Sequence, residues 1–133
     1  MATVTAGRRV SPLVLATGDG AVLILWAVLG LAHHAEGITV AGLLRNAGPI
    51  LVGWFVAATA LGTYRRPASG PRFLATWALG ISAGVILRAL ILGRPWNGDE
   101  FAFFGVTLAV TLVVLLLWRG GVAAWSRVAG PRP

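Results

Sequence analysis

The stretch GDGAVLILWAVLGLAHH, Gly18 to His34, decides the fold of this chain. It is an apolar run with one carboxylate, Asp19, near its start and two histidines, His33 and His34, at its end. Together with the apolar residues before it, back to about Pro12, the run is long enough to cross a bilayer as a helix, which takes roughly 17–25 residues. The stretch therefore predicts a first membrane crossing. The question is whether its polar residues form a functional site or only mark the ends of the helix.

The composition of the whole chain agrees with this prediction. Of the 133 residues, 57% are hydrophobic and 11% are charged, whereas a soluble domain carries about 25% charged residues. The predicted spans are about residues 12–33, 47–64, 72–92 and 101–118. Apolar and polar residues do not alternate in these runs, and the runs are too long for the strands of a membrane β-barrel. A helix, by contrast, satisfies its own backbone hydrogen bonds in lipid. We therefore predict an all-α integral membrane four-helix bundle that forms a single transmembrane domain over residues 1–133.

Two pieces beside the spans are short and weakly amphipathic. Residues 37–46 and 121–129 are expected either to lie in the membrane interface or to form an ordinary loop and tail. Pro49 is expected in the first turn of the second helix, where its missing N–H costs little.

The arginines are divided unevenly between the two ends of the predicted spans. On one side lie Arg45 and Arg94, along with the acidic residues Glu36, Asp99 and Glu100. The arginines on the other side are Arg8, Arg9, Arg65, Arg66, Arg72, Arg119, Arg127 and Arg132. By the positive-inside rule, this asymmetry predicts a multi-pass protein of the cytoplasmic (inner) membrane with both termini in the cytoplasm. Because the net charge of +7 lies beside apolar spans, the lipid bilayer is the predicted partner and no nucleic acid is expected.

A first candidate polar site lies at the predicted inner side. Asp19 is its centre, and Tyr64, Arg65 and Arg66 are expected close to it. Three interpretations stay open. The carboxylate could bind a proton, a cation or a polar head group; it could be a first-turn residue that favours the helix N-terminus; or it could pair with Arg65 or Arg66.

A second candidate polar site lies at the predicted outer side. Its residues are His33, His34, Glu36, Arg88, Asp99 and Glu100. Arg88 could extend toward the interface and pair with one of the acids, or hold a phosphate or carboxylate in two-pronged fashion. The histidines could be amphipathic end-markers, a pH-sensitive group, or a metal or haem ligand.

No catalytic machinery is visible in the sequence. The chain has no cysteine, which excludes disulfides and thiolate chemistry, and no serine has a recognisable histidine and acid beside it. Because adjacent histidines on a helix point about 100° apart, both are not expected to bind one metal. No catalytic residue and no metal site are predicted, and the cofactor is unknown. The glycines expected to mediate helix packing are Gly30, Gly53, Gly80 and Gly84.

The order of these features resembles a family of bacterial and archaeal membrane proteins, domain of unknown function 3054. The resemblance covers about Thr17 to Arg119. The residues that carry it are Asp19, Gly30, His34, Pro49, Gly53, Trp54, Trp77, Gly84, Leu87, Arg88, Phe101, Phe104, Trp118 and Arg119. By that pattern His34, rather than His33, is the residue that matches the family. The resemblance implies a four-span architecture and no particular activity.

Three classes of function stay open. The first is a transporter-like or small-ligand-binding membrane protein that acts as an oligomer. The second is a non-catalytic accessory or assembly subunit of a larger membrane complex. The third is a membrane enzyme that modifies a lipid or isoprenoid, which is least favoured because no paired acids or nucleophile are visible.

Overall fold

Four long α-helices make up almost all of the structure, a computed structural model that describes residues 10–34 and 37–129. Their bounds are α1 Pro12–Ala32, α2 Val40–Leu61, α3 Gly70–Leu92 and α4 Gly98–Val128. Each is long and apolar enough to cross a membrane. The predicted all-α membrane four-helix bundle is confirmed.

Polar side chains define where the helices begin, and glycines end two of them. At each helix start one side chain accepts a hydrogen bond from a backbone N–H of the first turn; these caps are Ser11, Thr39, Ser69 and Asn97. Gly62 and Gly93 follow α2 and α3 with φ of 66° and 61°, the left-handed conformation that only glycine adopts without strain. The connections between helices are residues 33–39, 62–69 and 93–97. They are too short to run the length of the bundle, so consecutive helices are antiparallel.

Two helices extend well beyond the spans predicted from the sequence, α2 at its start and α4 at its end. Helix α2 begins at Val40 because Thr39 caps it, so Pro49 lies inside the helix and not in its first turn. Pro49 has no N–H to offer the carbonyl of Arg45, one turn earlier. Helix α4 continues to Val128 and so includes residues 121–128 of the piece 121–129. At 1.5 Å per residue it is about 46 Å long, which exceeds the hydrocarbon core of a bilayer.

Helices α2 and α3 approach each other most closely. A Cβ atom added to Gly53 would lie 2.6 Å from the backbone nitrogen of Gly84, and one added to Gly84 would lie 2.6 Å from Cα of Ile50. Gly80 lies in the same contact, where an added Cβ would be 3.0 Å from the backbone of Gly53. Gly30 differs, because a Cβ there would meet nothing within 4 Å. Close backbone contact at the first three glycines holds the α2–α3 pair together.

Helix α4 turns polar residues toward the bundle and apolar residues outward. Its buried residues are Glu100, Thr107, Thr111 and Leu115, whereas large apolar side chains such as Val113 and Leu117 are exposed. This arrangement suits a helix that is surrounded by lipid on its outer face.

Charged clusters occupy the two opposite ends of the bundle. The Asp19 end contains Asp19, the loop 62–69 and the C-terminal part of α4. The Arg88 end contains Arg88, the start of α4 and the C-terminal end of α1. The apolar core between them includes Leu23, Ile50, Trp54, Ile81 and Val85.

Candidate functional site

Asp19 is fully buried and receives three hydrogen bonds. The Tyr64 hydroxyl donates to Oδ2 at 2.7 Å, and Arg119 donates to the same oxygen through Nη2 at 2.6 Å and to Oδ1 through Nε at 3.3 Å. Helix α1 begins at Pro12, so Asp19 lies about two turns inside it and is not a first-turn carboxylate. The three donors compensate the charge that burial would otherwise make costly.

Tyr64 extends this network to the core of the bundle. Its hydroxyl oxygen accepts a hydrogen bond from Nε1 of Trp54 at 3.0 Å, so its own proton is free for Asp19. Burial, and then the hydrogen bond to Asp19, raise the pKa of the Tyr64 phenol above its ordinary value. The phenol therefore stays protonated and acts as a donor. The chain of hydrogen bonds runs from Trp54 through Tyr64 to Asp19.

The arginine that pairs with Asp19 is Arg119, not Arg65 or Arg66 as one interpretation of the sequence expected. The Arg119 guanidinium lies 5.2 Å from the ring centre of Phe73 and 5.7 Å from that of Tyr64, within the range of cation–π attraction. Arg65 and Arg66 are exposed, and neither forms an ion pair within the described residues. Arg119 could have been inferred from its place at the end of the fourth predicted span, because antiparallel first and last helices bring it to the depth of Asp19.

A large open cavity adjoins this ion pair. Its volume is about 760 Å³, and it lies between the start of α1, the loop 62–69 and the C-terminal part of α4. Its apolar lining includes Leu15, Val122 and Ala123. Its polar lining consists of Tyr64, Arg65, Arg66, Ser69, Arg119 and Ser126. Arg65 and Arg66 therefore belong to the cavity beside Asp19 and not to the ion pair itself.

At the other end of the bundle, Arg88 and Glu100 form a second buried ion pair. Nη1 of Arg88 lies 3.1 Å from Oε1 of Glu100, and the side chains are 8% and 1% exposed. Nε of Arg88 donates to Oδ1 of Asn46 at 2.8 Å, and Nε of Arg94 lies 3.3 Å from Oε2 of Glu100. The Arg88 guanidinium also lies 4.0 Å from the ring centre of Phe103. The ion pair favours a structural role for Arg88 over bidentate binding of a large anionic ligand.

The other described residues of the predicted outer site take no part in this ion pair. His33, His34 and Asp99 are exposed, and Glu36 lies outside the described residues. His34 lines a small cavity of about 30 Å³ together with Arg88 and Asn46. Among residues 10–34 and 37–129, no group of three or more His, Cys, Asp or Glu side chains could hold a metal ion.

Asn46 is a hydrogen-bond partner of Arg88 that the sequence analysis does not predict. It was assigned to the first connecting loop because the second span was predicted to begin at residue 47. Its position inside α2, which begins at Val40, brings its amide to Arg88. The sequence signal that could have identified this contact is the polar amide of Asn46, about one turn before Pro49.

The fold and its two charged ends define the class of this protein, a small multi-pass membrane protein with a buried ion pair at each end of a four-helix bundle. The family model described as protein of unknown function (DUF3054) matches residues 16–122. The chain therefore belongs to this family, and the resemblance noted in its sequence is confirmed. The matched range contains both ion pairs. No curated protein and no solved structure matches the chain significantly.

Proposed function

We propose that this chain is a small-ligand-binding membrane protein whose ligand is an anionic amphiphile, bound in the cavity at the Asp19 end. The observation that carries the proposal is the lining of that cavity, which is mostly apolar along α1 and α4 and carries Arg65 and Arg66 along the loop. Ligand sites are typically concave and mostly apolar, with a few polar groups that orient the ligand.

The charges in the cavity favour an anionic head group. Asp19 is already satisfied by Arg119 and Tyr64, so it does not neutralise the loop arginines. Arg65 and Arg66 are exposed and make no ion pair within residues 10–34 and 37–129. A guanidinium matches the geometry of phosphate and carboxylate oxygens and binds them through two parallel hydrogen bonds.

The apolar side of the cavity favours a ligand with a hydrocarbon chain. Leu15, Val122 and Ala123 lie on helices that continue into the bilayer. A lipid that enters with its head group at the arginines would keep its chain against these residues. Juxtamembrane arginines attract anionic lipids by about 1 kcal/mol each.

Binding of short-chain lipids to the purified protein in mild detergent tests the proposal. We expect dioctanoyl phosphatidic acid to bind more tightly than dioctanoyl phosphatidylcholine, and inorganic phosphate to compete only weakly because it lacks the chain. Arg65→Gln and Arg66→Gln are each expected to weaken phosphatidic acid binding about tenfold, since a charge-assisted hydrogen bond is lost.

Arg127→Gln is the matched control. Arg127 is an exposed arginine in the last turn of α4, outside the cavity lining. The variant removes the same charge at the same end and is expected to leave the affinity unchanged. Equal binding of the two lipids, or an equal loss in Arg127→Gln, would contradict a specific site.

We also propose that the Asp19 end faces the cytoplasm. Its arginines are Arg65, Arg66, Arg72, Arg119 and Arg127, whereas the described residues of the other end contribute Arg45, Arg88 and Arg94. Reporter fusions after the C-terminus and within the loop 62–69 are both expected to report the cytoplasm, by the positive-inside rule. A periplasmic signal from either fusion would reverse the orientation.

The other classes predicted from the sequence stay predictions, as does action as a homo-oligomer. Co-purification in mild detergent distinguishes them from ligand binding alone. A stoichiometric foreign subunit favours the accessory class, whereas the chain with bound lipid favours the binding protein proposed here. Turnover of that lipid would favour the enzyme.

A further inference from the structure

We infer that the Arg88 end holds a second, independent site, in which a monatomic anion of the halide class binds in the small cavity between Arg88, His34 and Asn46. The site lies at the opposite end of the bundle from the cavity for the amphiphile and does not depend on it. Three properties of the cavity carry the inference: its charge, its size and its walls.

The ion-pair cluster of Arg88, Arg94 and Glu100 carries an unbalanced charge. Arg88 and Arg94 both pair with Glu100, so that two guanidinium groups share one carboxylate. No other carboxylate of the described residues forms an ion pair with either arginine. The Arg88 guanidinium has more N–H donors than its hydrogen bonds to Asn46 and Glu100 use. A buried cation with spare donors favours an anion beside it.

The small size of the cavity favours a small ligand. Its volume is about 30 Å³, and a site needs roughly 10–15 Å³ to hold one water-sized particle. A chloride or bromide ion fits, and so does a single water molecule, which is the alternative to be distinguished.

The walls of the cavity strengthen the attraction between Arg88 and an anion. Apart from Arg88, His34 and Asn46, the lining is apolar and includes Trp26, Ile50 and Phe103. Apolar walls lower the local dielectric constant, so a charge pair interacts more strongly there than in water. His34 is exposed, so a small ion can reach the cavity past it from the surface of the bundle.

Chloride-35 NMR of the purified protein in detergent tests the inference. Chloride is titrated at constant ionic strength against gluconate, which is too large for the cavity. We expect excess line broadening that saturates with chloride and is displaced by bromide. The absence of saturable broadening in the wild-type protein means that only water occupies the cavity, and overturns the inference.

A cavity-filling variant locates the site. Gly30 lines the cavity, and a Cβ there would meet nothing within 4 Å, so Gly30→Leu adds bulk without a backbone clash. It keeps every charge and is expected to weaken chloride binding at least tenfold. Gly105→Leu is the matched control, because Gly105 is exposed on α4 and equally open; it is expected to bind like the wild type. Equal chloride affinity in the two variants overturns the inference.

A second variant tests the charge argument without changing the volume. Asn46→Asp keeps the Oδ1 acceptor for Arg88 and supplies the missing carboxylate, while it loses the hydrogen bond from Nδ2 to the carbonyl oxygen of Gly42. It is expected to abolish the saturable broadening while Arg88 remains paired. Chloride affinity that is unchanged in Asn46→Asp contradicts an anion site built on Arg88, even if Gly30→Leu does not fold.

Discussion

Asp19→Ala is expected to lower the free energy of unfolding by about 3–5 kcal/mol, the cost of breaking a buried ion pair by removing one partner. Asp19 is fully buried, and the Arg119 side chain is only 11% exposed. Without the carboxylate, the Arg119 charge and the Tyr64 hydroxyl lose the acceptor that they share. The measurement is denaturant unfolding in mild detergent, followed by tryptophan fluorescence.

Two comparisons identify the ion pair as the cause of this loss. Asp99→Ala removes an exposed carboxylate from the other end of the bundle and is expected to change the stability by less than about 0.5 kcal/mol. The double variant Asp19→Leu with Arg119→Leu removes both charges and is expected to recover a large part of the loss, because no unpaired charge remains. A double variant that is less stable than Asp19→Ala would contradict this account.

Gly53→Leu is expected to lower the free energy of unfolding by about 3 kcal/mol or more, at the upper end of the cost of overpacking. The atoms that its Cβ would meet belong to the backbone of Gly80 and Gly84, so the neighbouring helix must move as a whole. No side chain can rotate away to make room. The same unfolding measurement checks this prediction.

Gly105→Leu is again the control, because it makes the same substitution where nothing lies within 4 Å. It is expected to be neutral or slightly stabilising, since leucine has a higher helix propensity than glycine. If Gly53→Leu were as stable as Gly105→Leu, the α2–α3 contact would not be the close backbone approach described here.

The sequence identified several members of the two charged clusters but not the partners that complete them. Asp19, Tyr64, Arg88 and Glu100 stood out because polar groups in or beside apolar runs are costly. Arg119 enters the sequence analysis as an orienting charge and as part of the family pattern, but not as a partner of Asp19, because nothing near it in the sequence carries the opposite charge. The pairing joins two residues from the first and last helices, and only their antiparallel packing brings them together.

Local pattern was sufficient for the architecture of this protein. Four membrane-spanning helices follow from the length of each apolar run, from the absence of alternation between apolar and polar residues, and from the need to satisfy the backbone in lipid. Each of these properties can be read from one segment at a time.

The tertiary structure alone decided which charges meet and where cavities form. Those outcomes depend on the depth and rotation of each helix relative to its neighbours. Glycine contacts at Gly53 and Gly84 and the early start of α2 at Val40 determine how α2 packs on α3, which brings Asn46 to Arg88. The packing of α4 against α1 brings Arg119 to Asp19. Such contacts between helices are not encoded in the pattern of any single span.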